Sequence, residues 1–192
     1  MTDFSFYFRL GWEHIMSWDA LDHLLFIAAL SAIYVFRDWK RVLILVTAFT
    51  IGHSLTLALS VLDIIRFPPN WVEFLIPCTI VFTAASNLLQ RATTTGSMRI
   101  NYVLALLFGL VHGMGFANTI RFMLAKDQDI VAPLLGFNIG LEIGQIIVVL
   151  LLLLLAQGMK MLKIARRDWT IFVSGATFGL ALKIALERWP DL

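Results

Sequence analysis

The stretch LGWEHIMSWDALDHLLFIAALSAIYVF, residues 10–36, is long and apolar enough to cross a bilayer, yet it carries His14, Asp19, Asp22 and His23. Ionisable side chains within a membrane span cost at least a few kcal/mol, unless they pair with one another or line a wet cavity. Asp19 and His23 are four residues apart and share a helix face, with Asp22 adjacent. His14 lies nine residues before His23, about half a turn away on a straight helix. It reaches the same site only if the segment breaks or curls near Ser17–Trp18.

The rest of the chain has the same character. Its 192 residues are 59% hydrophobic and 15% charged, with a mean hydropathy of +0.83. A soluble domain of this length needs more charge to cover its surface. Five further apolar stretches follow at 41–62, 71–90, 100–123, 132–157 and 169–187. The expected fold class is an all-α polytopic membrane helix bundle of six transmembrane helices, forming one domain over residues 1–192. The alternation expected of a membrane barrel is absent. The N-terminus lacks the basic region and unbroken apolar core of a cleaved leader, so the first segment is expected to stay as a span. The single cysteine, Cys78, sits in an apolar run and reads as a small buried hydrophobe.

Positive charge sets the expected orientation. Nine Lys and Arg residues fall in the first, third and fifth breaks, among them Arg37, Lys160, Lys163 and Arg166; five fall in the other breaks and at the ends. Cationic loops stay cytoplasmic, so both termini are expected outside. A net charge of +2 gives no reason to expect a nucleic-acid partner. Lys183 and Glu187, four apart, are expected to pair or to snorkel outward.

All four histidines, His14, His23, His53 and His112, fall within spans. Counted from the outer span ends at ~1.5 Å per residue, His23, His53, His112 and Glu142 lie within about 6 Å of one another in depth. Around His53 runs TAFTIGHSLTL, with Thr50 and Ser54 on the same side. Around His112 runs FGLVHGMGFA, whose glycines permit close helix approach. Span five reads LLGFNIGLEIGQII, with Asn138, Glu142 and Gln145 along one face. Nitrogen and oxygen donors without a thiolate suit a borderline divalent ion such as zinc, nickel or cobalt. The candidate metal residues are His14, Asp19, Asp22, His23, His53, His112 and Glu142, with Thr50, Ser54, Asn138 and Gln145 as orienting partners. No nucleotide-binding loop is present, so ATP-driven work by this chain alone is not expected.

GWEHIMSWDALDHLLF, TAFTIGHSLTL, FGLVHGMGFA and FNIGLEIGQ, in that order over the first five spans, resemble the HupE/UreJ family of small bacterial membrane proteins. The resemblance implies a nickel- or cobalt-associated permease or accessory protein in the bacterial inner membrane. It carries the family's histidine and acid positions onto His14, Asp22, His23, His53, His112 and Glu142. The spacing from His14 to Asp22-His23 is longer than the H-x4-DH of a wider class of nickel and cobalt permeases. A metal-ion permease is the expected function. The alternatives are an intramembrane zinc-dependent hydrolase acting on a lipid or amide, and a metal-binding accessory subunit. Expected partners are the metal ion and membrane lipid, with a second copy or another membrane protein as further candidates.

Overall fold

The computed structural model describes residues 3–90, 97–123 and 130–190. Among them there is no strand. The described residues form seven α-helices: α1 (Asp3–Met16), α2 (Leu21–Ser31), α3 (Trp39–Val61), α4 (Pro69–Leu89), α5 (Met98–Met123), α6 (Val131–Met161) and α7 (Arg166–Glu187). The last five are long and apolar enough to cross a membrane. Leu55, Leu107, Leu151, Leu155 and Phe172 stay exposed along them. Apolar residues on the outward faces suit lipid rather than water as the solvent.

The expected first span is not one helix. α1 ends at Met16, Ser17 is extended (φ −86°, ψ 155°), and one 3-10 turn, Trp18–Ala20, leads into α2. The Ser17 hydroxyl donates to the His14 carbonyl at 3.1 Å, taking up an acceptor that the broken helix leaves free. This is the break that the half-turn offset between His14 and His23 demanded.

Close backbone contacts fix the helix directions. Cβ atoms added at Gly136 and Gly140 would strike the carbonyls of Phe4 and Phe8, and one at Gly144 would strike Ile15, so α1 runs parallel to α6. Cβ atoms at Gly109 and Gly113 would lie 2.1 and 2.2 Å from the Phe49 and His53 carbonyl oxygens, so α3 runs parallel to α5. Only glycine permits backbones this close. α4 is antiparallel to α7: Phe74 meets Trp189 near one end, and Asn87 bonds Ser174 toward the other. Arg167 donates to the Asn87 and Leu88 carbonyls at 3.1 and 2.7 Å, covering the end of α4. Lys183 pairs with Glu187 at 3.2 Å, as their spacing leads one to expect.

Two apolar clusters lie in the interior. One joins Phe26, Leu45, Phe49, Ile80, Val149 and Leu153; the other joins Tyr7, Leu57, Ile120, Phe137 and Leu141. The histidines lie among their aromatic members.

Candidate metal site

The break in the first segment turns His14, at the end of α1, toward His23, in the first turn of α2: their ring centroids are 5.0 Å apart. α3 brings His53 to 5.7 Å from His23, and α5 brings His112 to 5.0 Å from it. His23 is therefore the hub of a four-histidine cluster built from four helices. His23, His53 and His112 are buried. Phe49 and Phe26 stand 5.0 and 5.4 Å from the His112 ring, Phe116 stands 4.3 Å from His14, and Phe137 stacks on His53 at 6.2 Å. Aromatic walls keep the cluster in a low-dielectric setting, where any polar interaction is strengthened.

Hydrogen bonds set the tautomers of two rings. Asp22 Oδ1 lies 3.1 Å from His23 Nδ1 and also accepts from the His23 backbone N–H at 2.8 Å. A carboxylate only accepts, so Nδ1 carries the proton and Nε2 holds the lone pair. Thr79 Oγ1 donates its one hydrogen to the Ile76 carbonyl at 2.7 Å and lies 3.0 Å from His112 Nε2. Thr79 must then accept from Nε2–H, which leaves the lone pair on His112 Nδ1. Both of those lone-pair nitrogens, His23 Nε2 and His112 Nδ1, are buried without a hydrogen-bond partner. So are His14 Nε2 and both nitrogens of His53. An unmatched buried polar atom costs roughly 1–3 kcal/mol. One of the two His53 nitrogens carries a proton, so each of the four rings has at most one lone pair to offer; His23 Nε2 and His112 Nδ1 are fixed as two of them, an acceptor-rich setting suited to a cation or protons.

Asn138 supplies a further element. Its Nδ2 donates to the Leu134 carbonyl at 2.8 Å, its Oδ1 is buried and unpartnered, and it lies against His53. That oxygen can accept the one N–H that a neutral His53 carries.

The remaining candidate residues are placed differently. Asp22 Oδ2 faces Arg188 at 3.9 Å. Glu142 is half-buried and accepts from the Thr47 hydroxyl at 2.7 Å, at the seam between α3 and α6. The one hydroxyl hydrogen of Thr50 has Gln145 Oε1 at 2.9 Å and the Val46 carbonyl at 3.2 Å as alternative acceptors, and Ser54 donates to the Thr50 carbonyl at 2.7 Å. These bonds tie α3 to α6 and to itself. The Asp19 side chain falls outside the described residues. Thr79, which orients His112, gave no sequence signal: α4 carries no histidine, and one buried threonine among many is unremarked. Among the described residues, no group of three or more His, Cys, Asp or Glu side chains is already arranged to hold a metal ion.

Two cavities flank the cluster along α5. One lies between α2, α4 and α5 and is lined by Phe26, Asn87, Asn101, Leu104 and Phe108, among others. The other, of about 310 Å³, lies between α3, α4 and α5 and is lined by Ser60, Arg66, Glu73, Met114 and Thr119, among others. Along α5, His112 stands between the residues lining one cavity and those lining the other.

Fold and cluster together define a multi-pass helical membrane protein with a buried, acceptor-rich histidine centre. The family model of the HupE / UreJ protein matches residues 1–187, and the chain belongs to that family of bacterial membrane proteins, which is associated with nickel and cobalt handling. No curated protein and no solved structure matches the chain.

Proposed function

We propose that the chain is a permease for a divalent transition-metal ion in the bacterial cytoplasmic membrane, with His14, His23, His53 and His112 as the groups that take the ion within the bilayer. The observation that carries this reading is the set of buried, unpartnered imidazole nitrogens on rings gathered around His23. Histidines sharing one tetrahedral ion with metal–nitrogen bonds of 2.0–2.1 Å have ring centroids about 5 Å apart. All three close pairs in the cluster have about that spacing. Asp22 and Thr79 act by fixing the tautomers of His23 and His112, and Asn138 by receiving the His53 N–H. Glu142 with Thr47 braces α3 against α6.

Transport is favoured over permanent binding by the form of the cluster. The close pairs radiate from His23 rather than closing into a compact four-ligand cage. Several weak neighbouring positions let an ion enter and leave, as conduction requires. The cavities on the two sides of His112 supply an approach and an exit. The helix directions support six crossings, with α1 and α2 together forming the first: α1 and α6 agree in direction, α3 and α5 agree, and α4 opposes α7. The broken first segment resembles the discontinuous helices that line transporter binding sites near mid-membrane.

The test is uptake of nickel, cobalt or zinc into proteoliposomes carrying the wild-type chain, His23→Ala or His53→Ala. Saturable uptake by the wild type and none by either variant, at equal incorporation, supports the reading. Equal uptake by all three removes the histidines from the route.

A further inference from the structure

The basic residues of the first and fifth breaks do more than accumulate on one side. Arg37, Lys160, Lys163 and Arg166 all line a single cavity of about 590 Å³, together with Gln157 and Trp169. Among the described residues, no aspartate or glutamate lines it. The nearby Asp38 is already engaged, facing Arg41 at 3.4 Å and accepting from the Val35 N–H. Arg166 donates to the Ile33 carbonyl, a contact that anchors the guanidinium without neutralising it. Four cations thus share one concave site with no opposing carboxylate.

The backbone supports the same conclusion. Lys163 has φ 62°, in the left-handed region where α6 ends. Its N–H bonds the Lys160 carbonyl at 3.0 Å, and that of Ile164 bonds Met159 at 3.1 Å. Glycine is the usual residue for this helix end. A lysine there carries a conformational cost and brings a charged side chain to the cavity.

A second cavity, of about 360 Å³, shares Val35, Arg37, Gln157 and Lys160 with the first. Its other lining residues are Phe36 and Leu154, both apolar and exposed. The basic site therefore continues into an apolar groove along the outward face of α6. Cations grouped beside such a groove match an anionic headgroup with an acyl chain attached. Free phosphate would use the cations and leave the groove unused. We propose that this cavity is a binding site for an anionic phospholipid, with Arg37, Lys160, Lys163 and Arg166 on the phosphate and the Phe36–Leu154 groove on an acyl chain.

The experiment measures retention of phosphatidylglycerol and phosphatidylcholine by the detergent-purified full chain, using native mass spectrometry, alongside thermal melts with each lipid or with inorganic phosphate. The site predicts preferential retention of phosphatidylglycerol. It also predicts a loss of about fivefold in affinity for each lysine removed in Lys160→Gln and Lys163→Gln. Lys183→Gln, which changes a lysine paired with Glu187 on α7, leaves retention unchanged. Lys163→Gly separates folding from binding: the melt without lipid rises, because glycine suits the left-handed position, while phosphatidylglycerol retention falls. Equal retention of the two lipids, or undiminished retention in the double lysine variant, overturns the proposal. Stabilisation by inorganic phosphate equal to that by phosphatidylglycerol overturns the lipid assignment.

Discussion

Replacing Gly109 by alanine changes no histidine, yet it should disable the cluster. The added Cβ would lie 2.1 Å from the Phe49 carbonyl oxygen, 2.9 Å from its carbon and 3.0 Å from its Cα. Ordinary carbon–oxygen contact begins at about 3.3 Å, so α3 and α5 must separate by roughly 1.2 Å at this level. The neighbour that must move is backbone and cannot rotate away. Gly52 and Gly113 hold the same seam, with Cβ positions 2.2 Å from the Leu106 and His53 carbonyl oxygens. The displacement therefore reaches His53 and His112, which sit on the two separated helices. A metal site tolerates about 0.2 Å in its bond lengths, several times less than the imposed shift. Overpacking of this kind costs about 1–3 kcal/mol. Gly175 and Gly179 on α7 provide the contrast, since a Cβ there meets nothing within 4 Å. Alanine at those positions should gain up to about 1 kcal/mol of helix propensity. The assay is a calorimetric titration with nickel or zinc in detergent, paired with a thermal melt. Gly109→Ala should melt lower and bind at least tenfold more weakly, while Gly175→Ala melts at or above wild type and binds normally. Wild-type affinity and melting in Gly109→Ala would refute the argument that backbone contact between α3 and α5 sets the cluster.

Three further outcomes follow from the hydrogen bonds. Asp22→Ala removes the carboxylate that fixes the His23 tautomer, and should weaken metal binding about 10- to 100-fold by the same titration; an unchanged affinity would show that Asp22 does not act through His23. Thr79→Val removes the acceptor for His112 Nε2–H and should weaken binding about tenfold, with Thr79→Ser restoring it; equal loss in both variants points to packing instead. Arg167→Ala strips the charged donor from the last carbonyls of α4, and should destabilise the protein by about 1.5–3 kcal/mol in a detergent melt, without altering metal affinity.

A sequence speaks to depth along a span and is silent on rotation about it. Apolar spans fix how far each residue lies from a membrane surface, and counting from the span ends put His23, His53 and His112 in one layer. The structure brings their rings together. Glu142 falls in the same layer by that count, but depth does not say which way a side chain faces around its helix. Glu142 looks toward Thr47, and Gln145 toward Thr50. The break after Met16 was legible as a condition: His14 and His23 meet only if the helix is interrupted, and Ser17 interrupts it. The packing of α1 along the glycines of α6 is not legible in the same way, because it depends on which faces of two distant segments meet. Thr79 was hidden for a similar reason, since its role appears only once α4 lies against α5.

X-ray absorption at the edge of nickel or zinc bound to the purified chain tests the central claim most directly. The account predicts imidazole nitrogens as the dominant ligands, at about 2.0–2.1 Å for zinc, with their number falling in His23→Ala. An all-oxygen shell, or an imidazole shell unchanged in His23→Ala, would contradict it.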